Sequence, residues 1–170
     1  MSEPQNIEQT VLRFADFNQT ELINLLARYQ LEVQIAPSGK AIPGSFWGDA
    51  EAGLIGHHLF LRQDTPIHSI LHETCHFICM TDARRKQLNT NAGSSQAEEN
   101  AVCYLQILLA DDLPSLGRQR ILSDMDAWGY SFRLGSARDW FEQDAQEPYD
   151  WLLAHNLIDQ GKQSTYQLRL

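Results

Sequence analysis

The chain has 170 residues, 43 % of them apolar and 21 % charged, with 13 basic against 22 acidic side chains and a net charge of -9. That balance excludes disordered, collagen-like and fibrous chains, and the negative field disfavours nucleic acid as a partner. No run reaches the ~20 apolar residues of a membrane span, the first residues Met1-Ser2-Glu3-Pro4 lack a leader pattern, and Cys75, Cys79 and Cys103 make an odd set unlike a secreted disulfide framework. One cytoplasmic domain over residues 1–170 with reduced thiols is the expectation. The densest basic run, Arg84-Arg85-Lys86, is too short for a polyanion or membrane patch and reads as a solvated helix end.

Apolar residues recur with a helical period from Ile7 to Arg28, broken near Asn18, after which Gln19, Thr20 and Glu21 restart a helix. Alternation follows at Leu31, Val33 and Ile35. With the turn signal Pro37-Ser38-Gly39-Lys40 and the apolar residues Ala41, Ile42, Phe46 and Trp47, this predicts a hairpin. Residues 54–61 read as a third strand, and together these give a small antiparallel or mixed sheet. Pro66 fits a first helical turn, Thr65 a cap, and residues 67–81 a helix. The polar stretch 89–95 is a loop, residues 97–110 form a strongly apolar helix, and further helices are expected over 114–128, closed by Gly129, over 136–144 and over 148–158. The fold class is α+β: a small sheet, two packed helices and a helical C-terminal part.

The first of the two packed helices carries His72-Glu73-Thr74-Cys75-His76 between uncharged flanks. Positions four apart stand one above the other on a helix, so His72 and His76 can aim two imidazole nitrogens at one zinc ion. Glu73, about 100° round, can lean toward a water on that ion as a general base. With six histidines and ten glutamates in the chain, this spacing arises by chance only about 0.01 times. A catalytic zinc takes three protein ligands and a water, and the next helix opens with Glu98 and Glu99. Glu98 shares a face with Ala101, Val102 and Leu105, the face that must meet the core, so Glu98 is expected as the third ligand. Glu99 then reads as a first-turn charge favouring the helix dipole.

His68 continues the histidine stripe, but it stands about 12 Å along the axis from His76 and cannot share its ion. Cys79 lies near the same stripe and could close a four-ligand site with no position for water, although among apolar neighbours it reads as a small hydrophobe. His57 and His58 fall on opposite faces of their strand, so at most one faces the cleft. For an oxyanion donor the candidates are Tyr104, Tyr130, Tyr149 and His155, while Trp128, Trp140 and Trp151 read as core.

Residues 31–110 resemble the gluzincin zinc metallopeptidases, in particular the compact ImmA/IrrE-like branch. The shared features are an opening sheet, His72-Glu73-x-x-His76, and a second helix reading Glu98-Glu99-Asn100-Ala101-Val102-Cys103-Tyr104. The resemblance implies a zincin-like fold, one Zn2+ held by His72, His76 and Glu98, Glu73 as catalytic base, and a peptide or protein substrate. Many gluzincins place Asp or Asn where Val102 stands, which leaves the brace for a zinc histidine to Asn100 or a backbone carbonyl. Residues 112–170 match nothing in that family. The alternative is a zinc-containing binding or regulatory module on the same scaffold, against which Glu73 speaks, since a structural metal has no use for an acid between its ligands.

Overall fold

A computed structural model describes residues 11–170. The described residues form seven α-helices and one three-stranded mixed sheet, an α+β arrangement. Helix α1 (Gln19–Arg28) starts where Asn18 caps it, its side-chain oxygen accepting from the Glu21 amide at 3.2 Å. The stretch before it is no helix: Phe14–Asp16 is a single 3-10 turn, and Arg13 bridges to Pro66. The expected helical residues 7–10 lie outside the described residues.

The sheet corrects the expected hairpin. Strand β1 (Glu32–Ile35) pairs in parallel with β3 (His58–Leu61), which pairs antiparallel with β2 (Gly53–Ile55), so the order is β1-β3-β2. Residues 41–47 make no strand, and the single strand expected over 54–61 is itself a hairpin turning at Gly56-His57. The loop after β1 instead crosses to β2, where the Leu54 amide donates to the Gly44 carbonyl at 3.2 Å. Gly53 makes this crossing possible, because a Cβ there would stand 2.1 Å from the Pro43 oxygen and 2.4 Å from Gly44 and Ser45 backbone atoms. The loop carries Phe46 and Trp47 outward, 54 % and 72 % exposed.

Beneath the sheet runs α2 (Ile67–Cys79), with every residue but His72 buried. Pro66 precedes it, as a proline without a free N–H can, while Thr65 accepts from the Arg62 amide rather than capping the helix. A short α3 (Asp82–Lys86), capped by Thr81, follows; the basic run Arg84-Arg85-Lys86 is its last turn, a helix end as expected, but Arg85 is buried rather than solvated. Helix α4 (Gln96–Ala110), capped by Ser95, packs along α2 and is covered by α5 (Arg118–Trp128) and α7 (Gln146–Ala154), with α6 (Ala137–Gln143) against α5. Leu54, Leu59, Leu61, Ile70, Leu71, Ile78, Leu105 and Leu109 are wholly buried between these layers. At about 1.5–3 kcal/mol for each such side chain, this apolar seam holds α2 and α4 at a fixed spacing, and that spacing positions the site. No helix among the described residues is long and apolar enough to cross a membrane.

Candidate metal site

Helix α2 presents His72 and His76 one turn apart, and α4 brings a carboxylate to them. That carboxylate is Glu99: its Oε1 lies 3.2 Å from His72 Nε2 and its Oε2 3.1 Å from His76 Nε2, with the two Nε2 atoms 3.2 Å apart. The expectation of Glu98 is corrected on this geometry. Glu98 is indeed buried, 3 % exposed, but in an arginine clamp. Arg84 donates to both its oxygens at 2.8 and 3.0 Å, and Arg169 donates to Oε1 at 3.0 Å. Burial of an acid has two solutions, a metal or a cation, and residues 84 and 169 provide the second.

Three donors about 2.0–2.1 Å from a tetrahedral ion stand about 3.3 Å from one another. The observed edges of 3.1–3.2 Å fit that triangle, and two imidazoles with one carboxylate are a donor set suited to zinc. In the metal-free protein the charges rearrange around the same triangle. Burial opposes ionisation of Glu99, but hydrogen bonds from His72 and His76 outweigh it and hold the carboxyl well below its usual value. Burial likewise opposes a charge on His72, yet Tyr130, Cys103 and Glu99 outweigh it and hold the imidazole well above its ordinary value.

The brace for His72 is Gln106, a residue the sequence reading did not single out. Its Nε2 donates to the His68 carbonyl at 2.8 Å, and since that carbonyl can only accept, the amide oxygen must face His72, 3.0 Å from Nδ1. His72 Nδ1 therefore donates, leaving the Nε2 lone pair for an ion. Asn100, the expected brace, instead accepts from Gln96. His76 Nδ1 is buried without a hydrogen-bond partner among the described residues, so the orienting bond serves one imidazole of the pair. A polar stripe, Glu99-Cys103-Gln106, faces the histidines. Gln106, the one side-chain amide in the apolar run 101–110, was the signal for it.

Glu73 is buried at 7 % exposure beside the triangle, and burial raises its carboxyl above the ordinary value, against the pull of His72 and His76. Two hollows, of about 280 and 410 Å³, open beside it, and His72, Glu73, Glu99 and Trp47 line both. Gly129, at φ +100°, ends α5 in the left-handed conformation and swings Tyr130 against His72, ring centroids 5.6 Å apart. The Tyr130 hydroxyl sits 3.1 Å from His68 Nδ1 and 3.4 Å from Gln106 Nε2, inside the bracing network rather than in the cleft. Burial then drops His68 to a pKa of about 3 and keeps it neutral.

The other candidates lie elsewhere. Tyr104 stacks on Phe141, Tyr149 donates to the Gln160 carbonyl, and His155 bonds the Trp151 carbonyl. His57 and His58 meet Glu32 rather than the cleft. Cys79 is buried, and that burial pushes its thiol well up. Trp140 is core as expected, whereas Trp128 lines the larger hollow. Comparison of the chain with protein-family models, curated proteins and solved structures finds no match.

Proposed function

We propose that this chain is a zinc-dependent metallopeptidase of the zincin type, with His72, His76 and Glu99 holding one zinc ion and Glu73 acting as general base. The observation that carries the reading is the triangle of three ligand atoms 3.1–3.2 Å apart, at the floor of an open cleft with a buried glutamate beside it. Zinc, when bound, supplies Lewis acidity: it acidifies a water and polarises a carbonyl oxygen.

The remaining steps belong to the chain's own side chains. Gln106 fixes His72 in the tautomer that leaves Nε2 free. Glu73 lines both hollows, so a peptide spanning them would pass within reach of that carboxylate. The raised pKa of Glu73 suits it to take a proton from the attacking water and return it to the leaving nitrogen. Phe46 and Trp47 overhang the smaller hollow and offer apolar surface to the substrate.

The test pairs metal analysis with peptide hydrolysis. Glu73→Gln should keep zinc and lose about 10²–10⁴-fold in turnover, whereas Glu99→Ala should lose zinc itself. Hydrolysis by Glu73→Gln at the wild-type rate would overturn the proposal, and a wild type that holds zinc but cleaves no member of a peptide library would leave the scaffold a binding module.

A further inference from the structure

The larger hollow is built from two kinds of surface. Trp47, Trp128 and Tyr130 give it aromatic walls, and Glu51 stands among them. The Trp128 indole N–H donates to Glu51 Oε1 at 2.9 Å, which fixes the carboxylate at the wall, while its other oxygen accepts no hydrogen bond from any described residue. Among the described residues no lysine or arginine lines the hollow; Arg13 approaches the Trp128 ring, 5.7 Å from its centroid, without lining it. Trp47, 72 % exposed, stands at its rim.

We propose that this hollow is a specificity pocket for a cationic side chain, lysine or arginine, of the substrate residue beside the scissile bond. The inference rests on the metallopeptidase reading for the bond that is cut, though not for the binding itself. The aliphatic stem of such a side chain would lie along Trp47 and Trp128, and its head would reach the free oxygen of Glu51. Aromatic faces favour a cation over a neutral group of the same length. An apolar occupant would strip water from Glu51 without replacing its hydrogen bonds, and an acidic one would meet like charge. At about 410 Å³ the hollow holds one long side chain with its solvent, and because His72, Glu73 and Glu99 form its inner wall, that side chain sits next to the reacting amide.

The experiment uses zinc-loaded Glu73→Gln protein and a blocked tetrapeptide series that differs at one position: lysine, arginine, norleucine, phenylalanine or glutamate. Binding is followed by intrinsic tryptophan fluorescence, to which Trp47 and Trp128 contribute, with zinc content measured in each sample. Lysine and arginine peptides should bind about tenfold more tightly than norleucine, the worth of one accessible charge-assisted contact, and a second substitution, Glu51→Gln, should close that gap. Added salt should weaken only the cationic peptides. Norleucine or phenylalanine binding as tightly as lysine, or a gap that survives Glu51→Gln, would overturn the pocket assignment. Lysine selectivity that persists in a protein holding no zinc would instead defeat the metallopeptidase reading and leave the pocket standing. In the wild-type protein, zinc-dependent hydrolysis of the same peptides without preference for a cation would do the reverse.

Discussion

Removing the Glu98 carboxylate separates two roles that a glutamate at the start of α4 could have. In Glu98→Ala the Arg84 and Arg169 guanidinium groups lose three hydrogen bonds of 2.8–3.0 Å. Breaking a fully buried ion pair costs about 3–5 kcal/mol. Here the arginine side chains are 37 % and 24 % exposed and recover part of their hydration, so a loss of about 2–3 kcal/mol is the appropriate scale. For a chain of this size that lowers Tm by roughly 5–10 °C. Glu98→Gln, which keeps the shape and loses the charge, should fall between. The assay is thermal unfolding in the presence of a chelator, so that metal linkage does not enter, with zinc stoichiometry measured separately. The expected result is a destabilised protein that still binds one zinc. A Glu98→Ala protein with unchanged melting and no zinc would refute the clamp and return Glu98 to the metal.

Three further outcomes follow from the same geometry. Gln106→Leu removes the acceptor for His72 Nδ1 and should weaken zinc binding about 10–100-fold, the usual worth of such a brace; zinc affinity equal to wild type would show that the histidine needs no orienting bond. The metal-free His72 is held above its ordinary pKa. Its protonated form therefore adds stability that is complete below about pH 6.5 and is lost as pH rises through the raised value. Zinc must displace that proton, so apparent affinity should rise with pH across this window, and calorimetry in two buffers near neutrality should show proton release; no release would contradict it. Gly53→Ala would force a Cβ to 2.1 Å from the Pro43 carbonyl oxygen. It should cost about 1–3 kcal/mol in unfolding experiments and displace the loop bearing Trp47, and a neutral effect would mean that the crossing is loose.

The helical half of the molecule was more legible in the sequence than the sheet. Helix α2 announced itself by its spacing of histidines and apolar residues, α4 by its apolar run, and Gly129 by closing α5. The strands are only three or four residues long, so alternation had too few positions to reveal that residues 54–61 turn back on themselves or that β1 pairs in parallel with β3. At the site, His72, Glu73 and His76 share one local helix and could be read together. The third carboxylate depends on where α4 lies against α2. Facing alone identified Glu98 as buried, but its partners Arg84 and Arg169 come from positions 14 residues before it and 71 after it. No local pattern links them. The polar stripe Glu99-Cys103-Gln106 was present in the sequence, and a glutamine within the apolar run 101–110 was the clue to its direction.

The most direct measurement is X-ray absorption at the zinc edge on the reconstituted protein, with Glu98→Ala and Glu99→Ala alongside. The account predicts one zinc per chain in a shell of nitrogen and oxygen at about 2.0–2.1 Å, two of the donors imidazole, unchanged in Glu98→Ala and lost in Glu99→Ala. A sulfur scatterer at about 2.3 Å would place a cysteine, Cys103 beside His72 or Cys79, in the shell. That result, or a site that survives Glu99→Ala intact, would contradict the assignment.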